Sequence, residues 1–199
     1  MHSMGLIVPY RNTRTYLEKF APYITEYLNN RNINFKLYVI EQDNLQEFNK
    51  GILLNIGFLI AQHNHNYFVF HNVDMLPHDI DYSCDASPKY FEGVTLFTKE
   101  EFVKINGFSN KYWGVENEDL NLLLRCKIAN LDIQRTKNGH FDYLTSKPDK
   151  EIEENLFKNL ENQLNKSNPI EFDSGLSNLN YDIIHIHDKK NYTVYSVKF

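Results

Sequence analysis

Three carboxylates crowd into four positions just after the only tryptophan of the chain. Glu116, Glu118 and Asp119 follow Trp113 in the stretch KYWGVENEDLNLLLR, which ends as a helix with a leucine face. Like charges this close repel unless a cation, a substrate or a helix N-terminus compensates them. In a first helical turn Asp119 would stay ionised and could take a proton from a substrate as a general base. The stretch is therefore either a solvated helix start or a catalytic site.

A metal site is the second candidate. Asp74 follows the apolar run YFVF at a predicted strand end, where its carboxylate could hold Mg²⁺ or Mn²⁺. Alternatively, Asp74 caps the turn before Pro77. His140 and Asp142 share one face of an extended segment and could add ligands, although a lone histidine near a glycine is more often structural.

Three further polar groups carry weaker signals. Arg11, just past the first predicted strand, could pair with a phosphate oxygen or make a surface salt bridge. His185 and His187 share a strand face, but their place in a terminal hairpin favours a structural role. The segment 63–66, HNHN, is typical of a solvated helix end.

Composition narrows the class of protein. A chain of 199 residues with 42% hydrophobic side chains predicts one domain, 1–199, with a real core. The net charge of -5 argues against a nucleic-acid partner, which needs a basic face. Two cysteines, Cys84 and Cys126, make no disulfide framework. No apolar run is long enough to span a membrane, and the stretch MHSMGLIVPY lacks the basic region and long apolar run that a signal peptide would show. We therefore expect a cytoplasmic location.

The first half of the chain alternates strand and helix patterns. The predicted order is a strand ending at Pro9, a helix from a capping box at 15–18 to about Asn29, a strand over Phe35–Gln42, a helix over FNKGILLNIGFLIAQ and one continuous strand over YFVFHNVDMLP. This order indicates a parallel sheet with right-handed crossovers. Ligands of such sheets bind beyond the carboxyl ends of the strands, where 9–11 and 72–74 lie.

The second half is less regular. The patterns predict a strand over Gly93–Phe97, a short helix capped by 98–101 that stops at Gly107, a helix from the acidic stretch to about Ala129, an amphipathic helix over Lys150–Asn165 and two final strands joined by a turn at 189–191. No internal repeat or linker interrupts the chain, which supports one domain.

Taken together, six stretches occur in the order found in one enzyme family. They are VPYRN, FNKGILLNIGF, FVFHNVDMLP, YFEGVTLFTKEEFVKINGFSNKYWG, ENEDLNLLLR and DSGLSNLNY. From about Leu6 to Val197 the chain resembles the β-1,4-galactosyltransferases, and the most specific part is KINGFSNKYWG followed by an acidic pair and a helix.

The resemblance implies an α/β, GT-A fold: a Rossmann-like, mostly parallel central sheet flanked by helices, here with a C-terminal β-hairpin. It implies a nucleotide-binding half over about 1–80 and an acceptor and catalytic half over about 81–199. The implied activity is metal-dependent, inverting transfer of a hexose from a UDP-sugar to a glycan hydroxyl, with Mn²⁺ or Mg²⁺. UDP-galactose is the implied donor, with UDP-N-acetylgalactosamine and UDP-glucose as alternatives.

The resemblance also assigns residues. Asp119 matches the general base and Glu118 its partner at the acceptor. The positions matched to metal ligands are Asp74, His140 and Asp142. The positions matched to the acceptor site are Tyr90, Trp113, Glu118 and Asp119. The positions matched to the donor site are Pro9, Tyr10, Arg11, Phe48, Asn49, Lys50, Asn72, Val73, Asp74, Gly93, Trp113 and Gly114.

Several positions depart from the family pattern. Asn72 replaces the first Asp of the Asp-x-Asp motif, and Val115 replaces a tryptophan on the loop that closes over the donor. Glu116 and Asn117 replace two glycines, which should stiffen that loop, and Leu120 replaces an acidic residue. These departures support an alternative hypothesis, in which the chain is a catalytically weak domain that binds a nucleotide sugar or glycan.

Overall fold

The computed structural model describes residues 3–114, 118–135, 138–146 and 172–199. Val115 to Asn117 and the predicted helix at 150–165 lie outside these residues. Within the described residues the α-helices are α1 Arg14–Asn29, α2 Lys50–Ala61, α3 Lys99–Lys104 and α4 Glu118–Ile128. The strands are β1 Met4–Tyr10, β2 Phe35–Gln42, β3 Tyr67–Phe70, β4 Met75–His78, β5 Lys89–Phe91, β6 Val94–Thr98, β7 Gln134–Arg135, β8 His140–Tyr143, β9 Asp182–Asp188 and β10 Thr193–Lys198.

Eight strands form one mixed sheet in the order β7-β5-β6-β3-β1-β2-β10-β9. The centre, β3-β1-β2-β10, is parallel, with Ile7 opposite Phe70 and Val8 opposite Val39. Antiparallel pairs flank it, since β6 runs against β3 and β9 runs against β10. The predicted parallel sheet and the C-terminal hairpin are confirmed.

The sheet has a hydrophobic core on each face because alternate residues of its buried strands point to opposite sides. Leu6 and Val8 of β1 pack with α1, whereas Ile7 packs with α2. A Cβ atom at Gly57 of α2 would collide with Ile7 and Ile40, so glycine allows this helix to lie close to the sheet. Within the described part of the chain, no helix is long and apolar enough to cross a membrane.

The start of α1 differs from the prediction. The helix begins at Arg14, its N-cap residue is Thr13, and no side chain caps it, so the predicted capping box at 15–18 is wrong. Arg14 explains the difference, because its Nε donates to the Glu18 carboxylate at 2.7 Å and occupies the group that a capping box would need. The predicted capping box of α3 is confirmed, with Thr98 and Glu101 bonded reciprocally.

The predicted continuous strand over YFVFHNVDMLP is wrong. β3 ends at Phe70, and β4 begins at Met75 in a separate two-stranded sheet with β8. The chain leaves the large sheet at His71, whose ring is buried and bonded to the Tyr82 hydroxyl at 2.9 Å and the Asn72 carbonyl at 2.7 Å. This break places Asn72, Val73 and Asp74 between the two sheets.

The HNHN segment follows the end of α2 and is exposed as predicted, except at His65. Its His65 ring contacts the Ser3 hydroxyl at 2.7 Å and the Tyr38 hydroxyl at 2.9 Å. His63 and Asn64 are exposed. His65 is therefore a structural histidine that joins the chain start to β2.

Candidate active site

The acidic start of α4 has a cationic partner. Lys50, the first residue of α2, places its Nζ 3.2 Å from Glu118 Oε1 and 3.2 Å from each carboxylate oxygen of Asp119. The three side chains are only 16%, 14% and 23% exposed. Burial alone would lower the pKa of Lys50, but the attraction of Asp119 and Glu118 outweighs it and raises that pKa. Lys50 therefore stays charged and compensates the crowded carboxylates.

The loop before α2 fixes the position of Lys50. Asn49 is buried and is the N-cap of α2, its Oδ1 accepting from the Ile52 N–H at 2.9 Å. Its Nδ2 donates to the Asn110 carbonyl at 3.0 Å, and its N–H donates to Gln42 Oε1 at 2.9 Å. Both side-chain amide atoms of Asn49 are already hydrogen-bonded within the protein. Asn49 therefore contributes to the site by positioning the neighbouring Lys50.

Gly93 borders the same carboxylates. Its backbone has φ of +95°, a conformation that favours glycine. A Cβ atom there would lie 3.7 Å from Asp119 Oδ2 and 3.9 Å from Asn72 Nδ2. The structure therefore brings together five residues assigned from the sequence, namely Lys50, Asn72, Gly93, Glu118 and Asp119.

A second group of assigned residues lies at the carboxyl end of β1. The Arg11 guanidinium lies over the Phe48 ring, 5.4 Å from its centroid, and Nη1 donates to the Gln46 carbonyl at 2.6 Å. The Gly114 N–H donates to the Phe48 carbonyl at 2.7 Å. Tyr10 is buried at the strand end beside Pro9. This group offers an aromatic face and a cation, a combination suited to a nucleotide base and its phosphates.

Two assigned aromatic residues have structural contacts. Trp113 is half-buried, and its ring centroid lies 6.0 Å from that of Phe199. Tyr90 is buried and packs with Leu120, Leu123 and Leu124 of α4. Tyr90 thereby supports the helix that carries Asp119.

The β4–β8 sheet carries the described residues best suited to a metal. His78 Nε2 lies 2.8 Å from Asp142 Oδ2, and His140 Nε2 lies 3.8 Å from Asp142 Oδ1. One ligand atom from each of these three residues falls within 4.8 Å of the others. Two imidazoles and a carboxylate form a donor set that fits Mn²⁺. The sequence reasoning named His140 and Asp142 but missed His78, because His78 joins them only through its register with His140 across the β4–β8 pair.

Asp74 is not in this cluster. It precedes β4, at the far end of the two-stranded sheet from His78. Its Oδ2 accepts from the Thr145 hydroxyl at 2.8 Å, and its carbonyl accepts from the Leu144 N–H at 2.8 Å. The predicted metal set of Asp74, His140 and Asp142 stays a prediction.

The metal-capable sheet is tied to the carboxylate group. The Tyr143 hydroxyl of β8 donates to Glu92 Oε2 at 3.0 Å, next to Gly93. On the other side, buried His71 holds the segment that carries Asn72 and Val73, and burial lowers the pKa of His71 to about 4. His71 is a positioning residue that sequence reasoning missed, since its hydrogen-bond partner Tyr82 lies in another segment.

Comparisons with known proteins decide the family. Residues 1–85 match the family described as the N-terminal region of glycosyl transferase group 7, and residues 79–147 match that described as the N-terminal domain of galactosyltransferase. The chain belongs to the β-1,4-galactosyltransferase family. The resemblance inferred from its motifs is confirmed.

The curated relatives of this galactosyltransferase-family chain are longer than the chain itself. β-1,4-Galactosyltransferase 4 of Mus musculus is 30% identical over 222 residues, which cover 100% of this chain and 64% of the relative. β-1,4-Galactosyltransferase 7 of Drosophila melanogaster is 28% identical over 210 residues, which cover 94% of this chain and 65% of the relative. The chain thus spans about 64% of the length of these curated relatives.

Solved structures establish the fold of this family member. The catalytic domain of Drosophila β-1,4-galactosyltransferase 7, solved with xylobiose, matches with a TM-score of 0.81 and 25% identity over 99% of this chain and 94% of that chain. A mutant of that enzyme, solved with manganese, UDP-Gal and xylobiose, matches with a TM-score of 0.80. The GT-A fold predicted from the sequence is confirmed.

Proposed function

We propose that this chain is a metal-dependent, inverting glycosyltransferase that transfers a hexose, galactose, from a UDP-sugar to a hydroxyl of a glycan. The observation that carries the proposal is the partly buried group of Lys50, Gly93, Glu118 and Asp119 at the edge of the sheet. Support comes from relatives named as β-1,4-galactosyltransferases and from the fold match to one solved with manganese, UDP-Gal and xylobiose.

The proposed chemistry is direct displacement at the anomeric carbon. The acceptor oxygen attacks while Asp119 takes its proton, and the bond to the diphosphate breaks. Glu118, one residue earlier, is positioned to orient an acceptor hydroxyl. Lys50 forms ion pairs with the side chains of both Glu118 and Asp119, so the two carboxylates are already oriented before a substrate binds.

The other two groups of residues, at the carboxyl end of β1 and on the β4–β8 sheet, would bind the nucleotide and the cation. Arg11 and Phe48 supply a cation and a ring for UDP, and Trp113 and Gly114 border the sugar. A divalent cation bound on the β4–β8 sheet would offset the charge of the diphosphate leaving group. His140 and Asp142 would hold it, with Asp74 as the family pattern implies.

Two alternatives are kept. In the first, the donor is UDP-N-acetylgalactosamine or UDP-glucose instead of UDP-galactose. In the second, the chain is a catalytically weak domain that binds a nucleotide sugar or glycan. Asn72 favours the second, because it brings no charge where the family has an aspartate. Against it stands Lys50, whose ion pairs keep Glu118 and Asp119 together in a partly buried site.

The test is UDP release from a panel of UDP-sugars, with a mixed glycan acceptor set, in Mn²⁺ and in EDTA. We expect release from UDP-galactose above the other donors and its loss in EDTA. Release from another donor alone would correct the donor. Saturable UDP binding without release from any donor would instead support the binding-domain alternative.

A further inference from the structure

One segment of backbone is bonded to both helices that carry Lys50 and Asp119. Residues 105–110, INGFSN, follow α3 and form the bridging segment. Asn55 of α2 is buried and bonds to this segment twice, its Nδ2 donating to the Phe108 carbonyl at 2.8 Å and its Oδ1 accepting from the Phe108 N–H at 2.9 Å. The bridging segment therefore holds α2 about one and a half turns after Lys50.

The start of α2 is bonded to the same segment. Asn49 Nδ2 donates to the Asn110 carbonyl at 3.0 Å, directly before Lys50. The Asn110 N–H in turn donates to the hydroxyl of Ser174 at 2.9 Å, and Ser174 is buried. The bridging segment thus holds α2 on both sides of Lys50 and is itself held by the C-terminal part of the chain.

Arg125 of α4 grips the bridging segment from the other helix. Its side chain is fully buried, and its Nη1 donates to the Gly107 carbonyl at 3.1 Å and lies 3.4 Å from the carbonyl oxygens of Ile105 and Asn106. These carbonyls follow the end of α3, where the partial negative charge of a helix C-terminus favours a cation. Nη2 donates to the Ser174 carbonyl at 2.6 Å. One guanidinium therefore joins α4, the bridging segment and Ser174.

The ion pair of Lys50 and Asp119 needs this support, because a lysine ammonium sits on a flexible four-carbon stem and does not fix the two backbones. The planar fork of Arg125 is rigid, and its donors point in different directions. Arg125 lies six residues after Asp119, about 9 Å along α4, so a shift at Arg125 moves the carboxylate. A misplacement of about 1 Å can cost about a hundredfold in rate.

We propose that Arg125 is a positioning residue that sets Asp119 against Lys50 through the bridging segment. Its effect on catalysis, through Asp119 as the general base, rests on the proposed function. Its effect on the geometry of the ion pair does not. Arg125 touches neither substrate nor reacting atoms in this scheme and acts only through the position of α4.

The first experiment asks whether Arg125 acts through Asp119. Arg125→Lys keeps the positive charge and loses the fork, and Arg14→Lys, at an exposed arginine of α1, is the matched control. With the UDP-sugar that the donor panel selects, we expect Arg125→Lys to lower kcat about tenfold or more, with the donor KM and the Kd for UDP within about twofold. In an Asp119→Asn background the same change should lower kcat less than about threefold, because the misplaced group no longer acts as a base. A purely structural role would lower kcat by the same factor in both backgrounds.

The second experiment needs no activity. Lys50→Met should lower stability in urea unfolding, and the proposal predicts that this loss shrinks to about half or less in the Arg125→Lys background, where the ion pair is no longer held. The same loss in both backgrounds would mean that Arg125 does not set the Lys50–Asp119 contact. A chain that shows this coupling but transfers no sugar would retain the positioning role and lose the proposed activity.

A milder variant covers the case in which Arg125→Lys does not fold, which circular dichroism reports. Arg125 Nε donates to Asn121 Oδ1 at 2.8 Å, and Asn121→Ala removes only that acceptor. We expect a loss of about threefold in kcat for Asn121→Ala alone and no further loss when it is combined with Asp119→Asn. Unchanged kcat in Asn121→Ala, or an equal loss in both backgrounds, would overturn the inference.

Discussion

Lys50 Nζ lies 3.2 Å from both carboxylate oxygens of Asp119, although the two residues are 69 positions apart in the chain. The contact joins the first turn of α2 to the first turn of α4. The contact explains how carboxylates can crowd beside Trp113, since the partly buried ammonium group of Lys50 compensates two of the three. It also makes the general base of the proposed reaction depend on a residue from the opposite half of the chain.

Removing the charge of Lys50 should therefore cost both stability and activity. Lys50→Met leaves Glu118 and Asp119 close together without a cation, and we expect the free energy of unfolding to fall by about 3 kcal/mol. Urea unfolding measures this change. Lys19→Met, which removes an exposed lysine of α1, is the matched control and should change stability little. A Lys50→Met variant as stable as the control would show that the ion pairs contribute nothing.

Gly93 should not tolerate a side chain. Gly93→Ala forces an L-residue into φ of +95° and puts a methyl group between Asn72 and Asp119. We expect a loss of about 1–3 kcal/mol in stability and at least a tenfold loss of transfer activity at saturating UDP-sugar. Thermal unfolding and initial rates measure the two effects. Full activity in this variant would mean that the space beside Asp119 is not used by the substrate.

Arg11 should contribute to nucleotide affinity more than to folding. Arg11→Ala removes a half-exposed guanidinium that lies over Phe48, and we expect the Kd for UDP to rise about tenfold with little change in stability. Isothermal titration calorimetry with UDP measures the change. Arg14→Ala, which removes an exposed arginine three residues on, is the control. Equal UDP affinity in both variants would remove Arg11 from the nucleotide site.

His71 should make stability depend on pH. Burial lowers its folded-state pKa to about 4, whereas the unfolded chain has the ordinary value of 6.5. Between these values the unfolded state binds more protons, so the contribution is complete above pH 6.5 and is lost as pH falls toward 4. We expect His71 alone to remove about 1.4 kcal/mol between pH 8 and pH 5.5.

The comparison with His71→Gln isolates that effect, because the variant has no imidazole at this position but can keep a hydrogen bond to Tyr82. Urea unfolding at pH 8 and pH 5.5 gives the loss for each protein, and the wild type should lose more. Burial also lowers the pKa of His65, which should contribute the same pH-dependent loss of stability to both proteins. The same loss in both would contradict a neutral His71 in the folded state.

The parts of the fold that were predicted from the sequence are those set by local pattern. β2 was predicted over its full extent, Phe35–Gln42, and the capping box at Thr98 and Glu101 was predicted because each lies within one segment. The break after Phe70 was missed, since it depends on the bond between His71 and Tyr82 from another segment.

The site shows the same division. Motif resemblance assigned Asp119 and Lys50 separately, but their ion pair is a tertiary contact that spacing does not reveal. His78 was missed because it belongs to the cluster only through its register with His140 across the β4–β8 pair. Pairings between distant segments are therefore what the structure adds.

The most direct test of the central claim is the transfer rate of Asp119→Asn with UDP-galactose, Mn²⁺ and a glycan acceptor, measured beside UDP affinity. Asp132→Asn, an exposed aspartate beyond the same helix, is the matched control. We predict that Asp119→Asn loses transfer by about a hundredfold or more while UDP affinity stays within about twofold and the control stays active. Unchanged transfer by Asp119→Asn would contradict its role as the base and, with it, the proposed mechanism.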